Sequence, residues 1–313
     1  MATGSPYETS VAVEVFDLVD DSVICEALED FPVQVAAASG GLINNSVPII
    51  CGGLNNFRGD CHIPGNTNDG PLATLITPRS STASIAMGNT LWITGGAHVF
   101  NNSPLSSTEI VDDLAIVVDG PELPMTMFGH CIVKLNQTTF LFMYERKTFF
   151  YDYSNQVWSY GPDMKYKRTY FGCGKMTSAN GSVVVVAAGG AYSRNTTEFL
   201  DFDGSKDLKW SAGENVVSLV RPECLMQPIC FPGPDLPKHL LSFSMVEFDH
   251  TVVTVGGNGN DDGELNVDTI HKLVCSAADS SCEWIEMRQK LRVARQLLVA
   301  IMVPDELTNC QKT

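Results

Sequence analysis

Apolar residues along the chain fall in short blocks, and four of those blocks close on a pair of glycines. They are Pro48-Ile49-Ile50-Cys51-Gly52-Gly53, Leu91-Trp92-Ile93-Thr94-Gly95-Gly96, the run 183–190, and Thr251-Val252-Val253-Thr254-Val255-Gly256-Gly257. Blocks this short, rich in β-branched side chains and stopped by glycine, predict buried strands. The glycine pairs recur with a period of about 47 residues, which places a degenerate copy near residue 142. Thr139-Phe140-Leu141-Phe142-Met143 stands there, with Tyr144-Glu145 in place of the glycines and a shortened loop behind it.

Behind each glycine pair comes a variable polar loop, then a strand ending in an aromatic residue or leucine plus Asp, then a strand entered at Trp or Cys. The clearest copy runs Thr148-Phe149-Phe150-Tyr151-Asp152, Trp158, the turn Gly161-Pro162-Asp163-Met164, and a basic residue, Arg168, ahead of the next apolar strand. Related pieces are Phe199-Leu200-Asp201 with Trp210, Glu14-Val15-Phe16-Asp17 with Cys25, and His271-Lys272-Leu273 with Trp284. This succession of apolar strand, Gly-Gly, loop, Tyr-Asp, Trp and Arg resembles the kelch repeat and covers essentially the whole chain. The resemblance implies an all-β fold, a six-bladed kelch-type β-propeller built as one domain over residues 1–313. Each four-stranded unit cannot bury both its faces alone and must stack on its neighbours, with Trp and Tyr filling the space between blades.

Two irregularities refine the expectation. The interval between the glycine pairs at Gly189 and Gly256 is too long, and the excess is located at 214–233, between Trp210-Ser211-Ala212-Gly213 and Pro234-Asp235-Leu236. That segment reads as an inserted inter-blade loop or as a gene-model error. At the ends, Met1-Ala2-Thr3-Gly4-Ser5 resembles the tail of a second strand, while Arg295 introduces a first strand, Leu297-Leu298-Val299-Ala300-Ile301-Met302-Val303, with no second strand after it. The C-terminal strand is therefore expected to join the N-terminal blade, next to residues 11–17, and close the ring, on a chain whose start reads as incomplete.

Composition narrows the function. A net charge of −16 disfavours a nucleic-acid ligand, which needs clustered cations. No apolar run is long enough for a membrane span, and the first ten residues lack the core of a signal peptide. The 10 cysteines point toward an oxidising compartment: Cys51 and Cys61 flank one loop and Cys275 and Cys282 another, spacings suited to hairpin disulfides. Five Asn-x-Ser/Thr sequons, at Asn44, Asn101, Asn136, Asn180 and Asn195, fit secretion and are glycosylation candidates. The expected location is extracellular, with the cytoplasm as the alternative.

Loops after the glycine pairs and loops between blades emerge on one face of such a repeat, and recognition resides in loops on a rigid scaffold. The candidate partner-binding residues there are Asn56, Arg58, Asp60, His98, Asn102, Tyr192, Arg194, Asn260 and Asp262. Arg58-Gly59-Asp60 has the form of an adhesion triplet, though a tripeptide arises readily by chance. Asn258-Gly-Asn260-Asp-Asp262-Gly263 begins like a calcium loop but lacks the glutamate at its twelfth position. The kelch resemblance brings in a copper enzyme, galactose oxidase, as well as binding modules. The six histidines form no ligand-spaced cluster that such a site would need. The expectation is a non-enzymatic binding module: no catalytic residue, no metal, no cofactor, and a monomer that binds a protein partner. The alternatives are a substrate-recognition fragment of an intracellular kelch adaptor and a galactose-oxidase-like enzyme.

Overall fold

The computed structural model describes residues 11–20, 23–26, 28–66, 70–177, 182–202, 208–212, 233–259, 266–276, 281–308 and 310–311. Asn180, Asn260, Asp262 and nearly all of the 214–233 segment lie outside them. Two compact units are present: Met1–Gly129 with Arg288–Thr313, and His130–Met287.

The short apolar blocks form five four-stranded antiparallel sheets, each a simple meander in which consecutive strands pair. In unit one the first sheet is Ser39–Ile43, Val47–Cys51, Asp60–His62 and Ala73–Thr74. The second is Ala83–Met87, Thr90–Thr94, Thr108–Asp112 and Val117–Asp119. In unit two the third is Cys131–Lys134, Thr139–Tyr144, Lys147–Asp152 and Val157–Tyr160, and the fourth is Gly172–Thr177, Val183–Ala188, Thr197–Phe202 and Trp210–Ala212. The fifth is Ser244–Phe248, Thr251–Val255, Thr269–Ser276 and Ser281–Lys290. Among the described residues the helical content is one 3-10 turn, Asp305–Leu307. The second strands are the most deeply buried, as their unbroken apolar sequence requires.

Within each unit the first strands of successive sheets stand side by side, Ser39–Ile43 by Ala83–Met87 in one, and Cys131–Lys134 by Gly172–Thr177 by Ser244–Phe248 in the other. The glycine pairs make the approach possible. Gly52 has φ +65° and a Cβ there would sit 2.5 Å from the Arg79 carbonyl oxygen; Gly53 has φ +97°, with the Ala36 carbonyl oxygen 2.9 Å from any Cβ. In the degenerate third copy Glu145 takes the left-handed conformation without being glycine, at φ +53°, and keeps the paired backbone hydrogen bonds with Arg168 at 2.9 and 3.0 Å. The aromatic residues fill space within a sheet as well as between neighbouring sheets. Trp158 packs on Phe142 and Tyr151, and the Trp210 and Trp284 indoles donate to the carbonyls of Pro162 and Pro234, both at 3.1 Å.

Buried ion pairs fasten two of the sheets. Arg79, just ahead of the second sheet, donates to Glu109 on its third strand at 2.6 Å and to the carbonyls of Gly95 and Ser107 at 3.1 and 2.8 Å. Glu109 in turn accepts the backbone N–H groups of Ile76 and Thr77. The fourth sheet repeats this: Arg168 donates to Glu198 at 3.0 Å and to the carbonyls of Gly189 and Thr196, and Glu198 accepts the N–H groups of Lys165 and Tyr166. All four side chains are at most 1% exposed. Burial lowers both guanidinium pKa values, opposed by the facing carboxylate.

The count of blades differs from the expectation: among the described residues five four-stranded sheets are formed where six were predicted. Residues 11–17 and 297–303 carry no ladder. The physical reason is that a first and a third strand pair only through a second strand between them, and no described residue occupies that place. The two segments nevertheless meet in unit one. Arg295 forms an ion pair with Glu14 and donates to the Ala12 carbonyl at 2.6 Å, Arg292 N–H donates to Glu14 at 2.7 Å, and Val299 and Ile301 pack against Gly40 of the first sheet.

Among the described residues there are four disulfides. Cys51–Cys61 and Cys275–Cys282 are the two hairpin bridges read from the spacing, each with Cα atoms 4.0 Å apart. Cys25–Cys310 and Cys131–Cys173 were not foreseen, because their partners are 285 and 42 residues apart in sequence. Among the described residues no helix is long and apolar enough to cross a membrane.

Candidate partner-binding surface

The loop behind the first glycine pair is built from the inside. The Cys51–Cys61 bridge closes it, and Asn56, only 4% exposed, fills it: its amide donates to the carbonyls of Gly52 and Asp60 and its oxygen accepts the Asp60 N–H. Asn56 is thus spent within the loop. Asp60 is also turned inward, accepting from Thr74 Oγ1 at 2.8 Å, while Arg58 is 81% exposed and lies 3.9 Å from the Asp60 carboxylate. The Arg-Gly-Asp triplet therefore presents its guanidinium outward and withholds its carboxylate.

What the tightened loop projects is Phe57, 54% exposed. In the loop behind the second glycine pair, the carbonyl of His98 accepts from Asn102 N–H and its own N–H donates to Ser103, an arrangement made possible by the left-handed φ of +54° at Asn102. That loop projects Phe100, 66% exposed and flanked by the His98 ring at 5.5 Å. The two phenylalanines stack on each other, ring centroids 5.8 Å apart at 23°. Neither was among the residues singled out from the sequence, although each is the fourth residue after the second glycine of its pair, a shared offset visible in the chain.

In unit two the equivalent loop projects Tyr192, 75% exposed at φ +70°, with the Lys167 ammonium 4.9 Å from its ring centroid. Arg194 is exposed beside it at φ +53°, and Ser193 between them is buried, donating to the Gly189 carbonyl. Among the sequons, Asn44, Asn101 and Asn136 are exposed and Asn195 is half-buried. The Asn44 amide is committed to Asp113 at 2.7 Å and that of Asn195 to the Leu236 carbonyl at 3.3 Å. At Asn101 and Asn136 the hydroxyl two residues on donates to the side-chain oxygen, from Ser103 at 2.7 Å and Thr138 at 3.3 Å.

Three histidines are taken into the interior. His62, 6% exposed, rests edge-on against Phe31, and burial lowers its pKa against the pull of Asp60. Burial presses His130 down to about 3. His271 is 2% exposed and 3.8 Å from Glu286.

The chain is similar to a solved structure, that of YjhT, a propeller, over 88% of this chain and 89% of that one, with a TM-score of 0.60 and 15% identity. The fold is a β-propeller. No family model and no curated protein matches the sequence.

Proposed function

We propose that this propeller is a non-catalytic protein-binding module of the kelch type, working outside the cell, which takes its partner on the loops that follow the glycine pairs. The observation that carries this is the exposed Phe57–Phe100 stack with Arg58 beside it. Two large aromatic faces held in water by disulfide-braced and hydrogen-bonded loops are costly unless a partner covers them, and aromatic residues with arginine are the usual anchors of protein interfaces. Four disulfides favour an oxidising environment, and a glycan on Asn101 or Asn136 accords with it.

The same reading counts a sixth module made by residues 297–303 and 11–17, closing the ring. Its support is the third Arg–Glu pair, Arg295–Glu14, and a left-handed residue two positions after the arginine site in every copy. Ala37, Ser81, Gly129, Tyr170, Ser242 and Leu297 have φ between +53° and +56°. Deleting residues 296–313 is expected to lower the melting temperature of the whole molecule in one transition, and an unchanged melting temperature overturns the closure.

The binding reading is tested by cross-linking and affinity capture from extracellular fluid with wild type and the Phe57→Ser/Phe100→Ser variant. The reading expects a defined partner held by wild type and lost by the equally stable variant; equal capture by both rejects it.

A further inference from the structure

We propose that the outer edge of the second sheet is a docking site for an extended peptide segment in which apolar residues alternate with lysine or arginine. The strand there, Val117–Asp119, pairs on one side only, with Thr108–Asp112. The Asp112 N–H donates to the Ile116 carbonyl at 3.1 Å and the Gly120 N–H to the Thr108 carbonyl at 2.8 Å, so bonding toward the sheet falls on the even-numbered residues. The N–H and C=O groups of Val117 and Asp119 therefore point outward, and among the described residues they meet no partner.

An edge of this kind is a template for another strand, and proteins commonly blunt theirs with charge, proline or a bulge. The outer strand of the fifth sheet is blunted in that way, exposing Glu283, Glu286, Arg288 and Lys290. The second sheet carries an apolar stripe instead. Ile116 and Val118, two residues apart on one face of the extended chain, are 54% and 49% exposed, and Leu114, at the turn that leads in, is 75% exposed.

Charge names the occupant. Residues 80–133 contain no lysine or arginine, while Asp112 and Asp113 stand at one end of the edge strand and Asp119 and Glu122 at the other. The bonds these carboxylates accept come from neutral donors: the Leu114 and Ile116 N–H groups at Asp112, the Asn44 and Asn89 amides at Asp113, and the Ser106 hydroxyl at Glu122. Their negative charge is thus left unbalanced. A second copy of the chain would set these acids against each other on a molecule already at −16, which disfavours it as the occupant. Alternation in the partner follows from the pleat. Asp119 falls on the face opposite Val118, so an added strand that covers Ile116 and Val118 with one set of side chains brings the other set beside Asp119.

The test is fluorescence anisotropy of the full chain with a short labelled peptide of alternating valine and lysine, and with three relatives of it. One has glutamate for lysine, one has serine for valine, and one is fully N-methylated, which removes every backbone donor. Wild type is expected to bind the valine–lysine peptide saturably, with affinity falling as salt rises, and each relative at least tenfold more weakly. Ile116→Lys/Val118→Lys should weaken binding at least tenfold with an unchanged melting temperature, since both side chains are exposed. Asp119→Asn, which alters the other face, should weaken it less and reduce its salt dependence. Phe57→Ser/Phe100→Ser should leave it intact, which separates this edge from the loop surface. Absence of binding, equal binding by the glutamate or N-methylated peptide, or equal binding by the double-lysine variant overturns the proposal. So does a wild-type dimer in sedimentation that the double-lysine variant loses, which would give the edge to a second copy.

Discussion

The first and second sheets of unit one solve the same problem by different chemistry. In the second, third strand and preceding loop are joined by Arg79 and Glu109, a buried ion pair whose remaining donors and acceptors end on backbone groups and on the Ser107 hydroxyl. In the first, the corresponding positions hold Val35 and His62, and the third strand is tied covalently to the second strand instead: Cys51 and Cys61 face each other in the ladder register that Thr94 and Thr108 occupy in the second. Where the acid is lost the arginine is lost too, as the corresponding residues Leu240 and His271 show again in the fifth sheet. The difference teaches that the pair is tolerated only whole, because either member alone would be a buried, unmatched charge.

Breaking the ion pair is the most damaging test of this comparison. Arg79→Met is expected to cost about 3–5 kcal/mol by leaving the Glu109 carboxylate buried without its partner. Arg79→Met with Glu109→Phe, the residues that Met127 and Phe149 place at these positions for the third sheet, should recover most of that loss. Urea unfolding of the single and double variants measures both, and equal losses would contradict the reasoning.

Breaking the covalent join comes second. Cys51→Ala/Cys61→Ala opens a loop of 10 residues and should cost about 2–3 kcal/mol by chain entropy. Reducing agent should weaken wild type and leave that variant less affected, as followed by melting temperature.

A smaller effect distinguishes the sheets by pH. Burial lowers the His62 pKa, so the folded state holds this ring neutral while the unfolded chain takes up a proton near pH 6.5. Its contribution is full above that pH and is lost as pH falls below it, by at most about 1.4 kcal/mol per unit until the lowered folded pKa is reached. His62→Gln should flatten the stability profile between pH 6.5 and 5, and an unaltered slope would show that the ring does not stay neutral. His130, held near 3, adds the same sign of dependence in unit two.

The smallest expected change is in the surface between these loops. Phe57→Ser/Phe100→Ser should alter stability by no more than about 0.5 kcal/mol, since both rings are already in water. A large loss on chemical unfolding would mean that the stack braces the loops.

Much of the architecture could be read from the chain because its signals are local. Glycine pairs, apolar blocks and hairpin cysteines act over a few residues, so the all-β repeat, the degenerate copy at Tyr144-Glu145 and the bridges Cys51–Cys61 and Cys275–Cys282 follow from neighbours in sequence. Strand alternation and backbone sterics need no distant partner. What tertiary structure alone decided is everything that depends on residues far apart. Asn56 and Asp60 read as loop polar groups, and only the closed loop turned them inward and pushed Phe57 out onto Phe100. Arg168 and Arg295 were visible as basic residues ahead of apolar strands and Arg79 was not singled out, and the acids they pair with, Glu198, Glu14 and Glu109, could not be assigned, because spacing in sequence does not say which carboxylate meets which guanidinium. The pairing of Cys25 with Cys310 across 285 residues is decided in the same way, by the fold bringing both ends of the chain to one place.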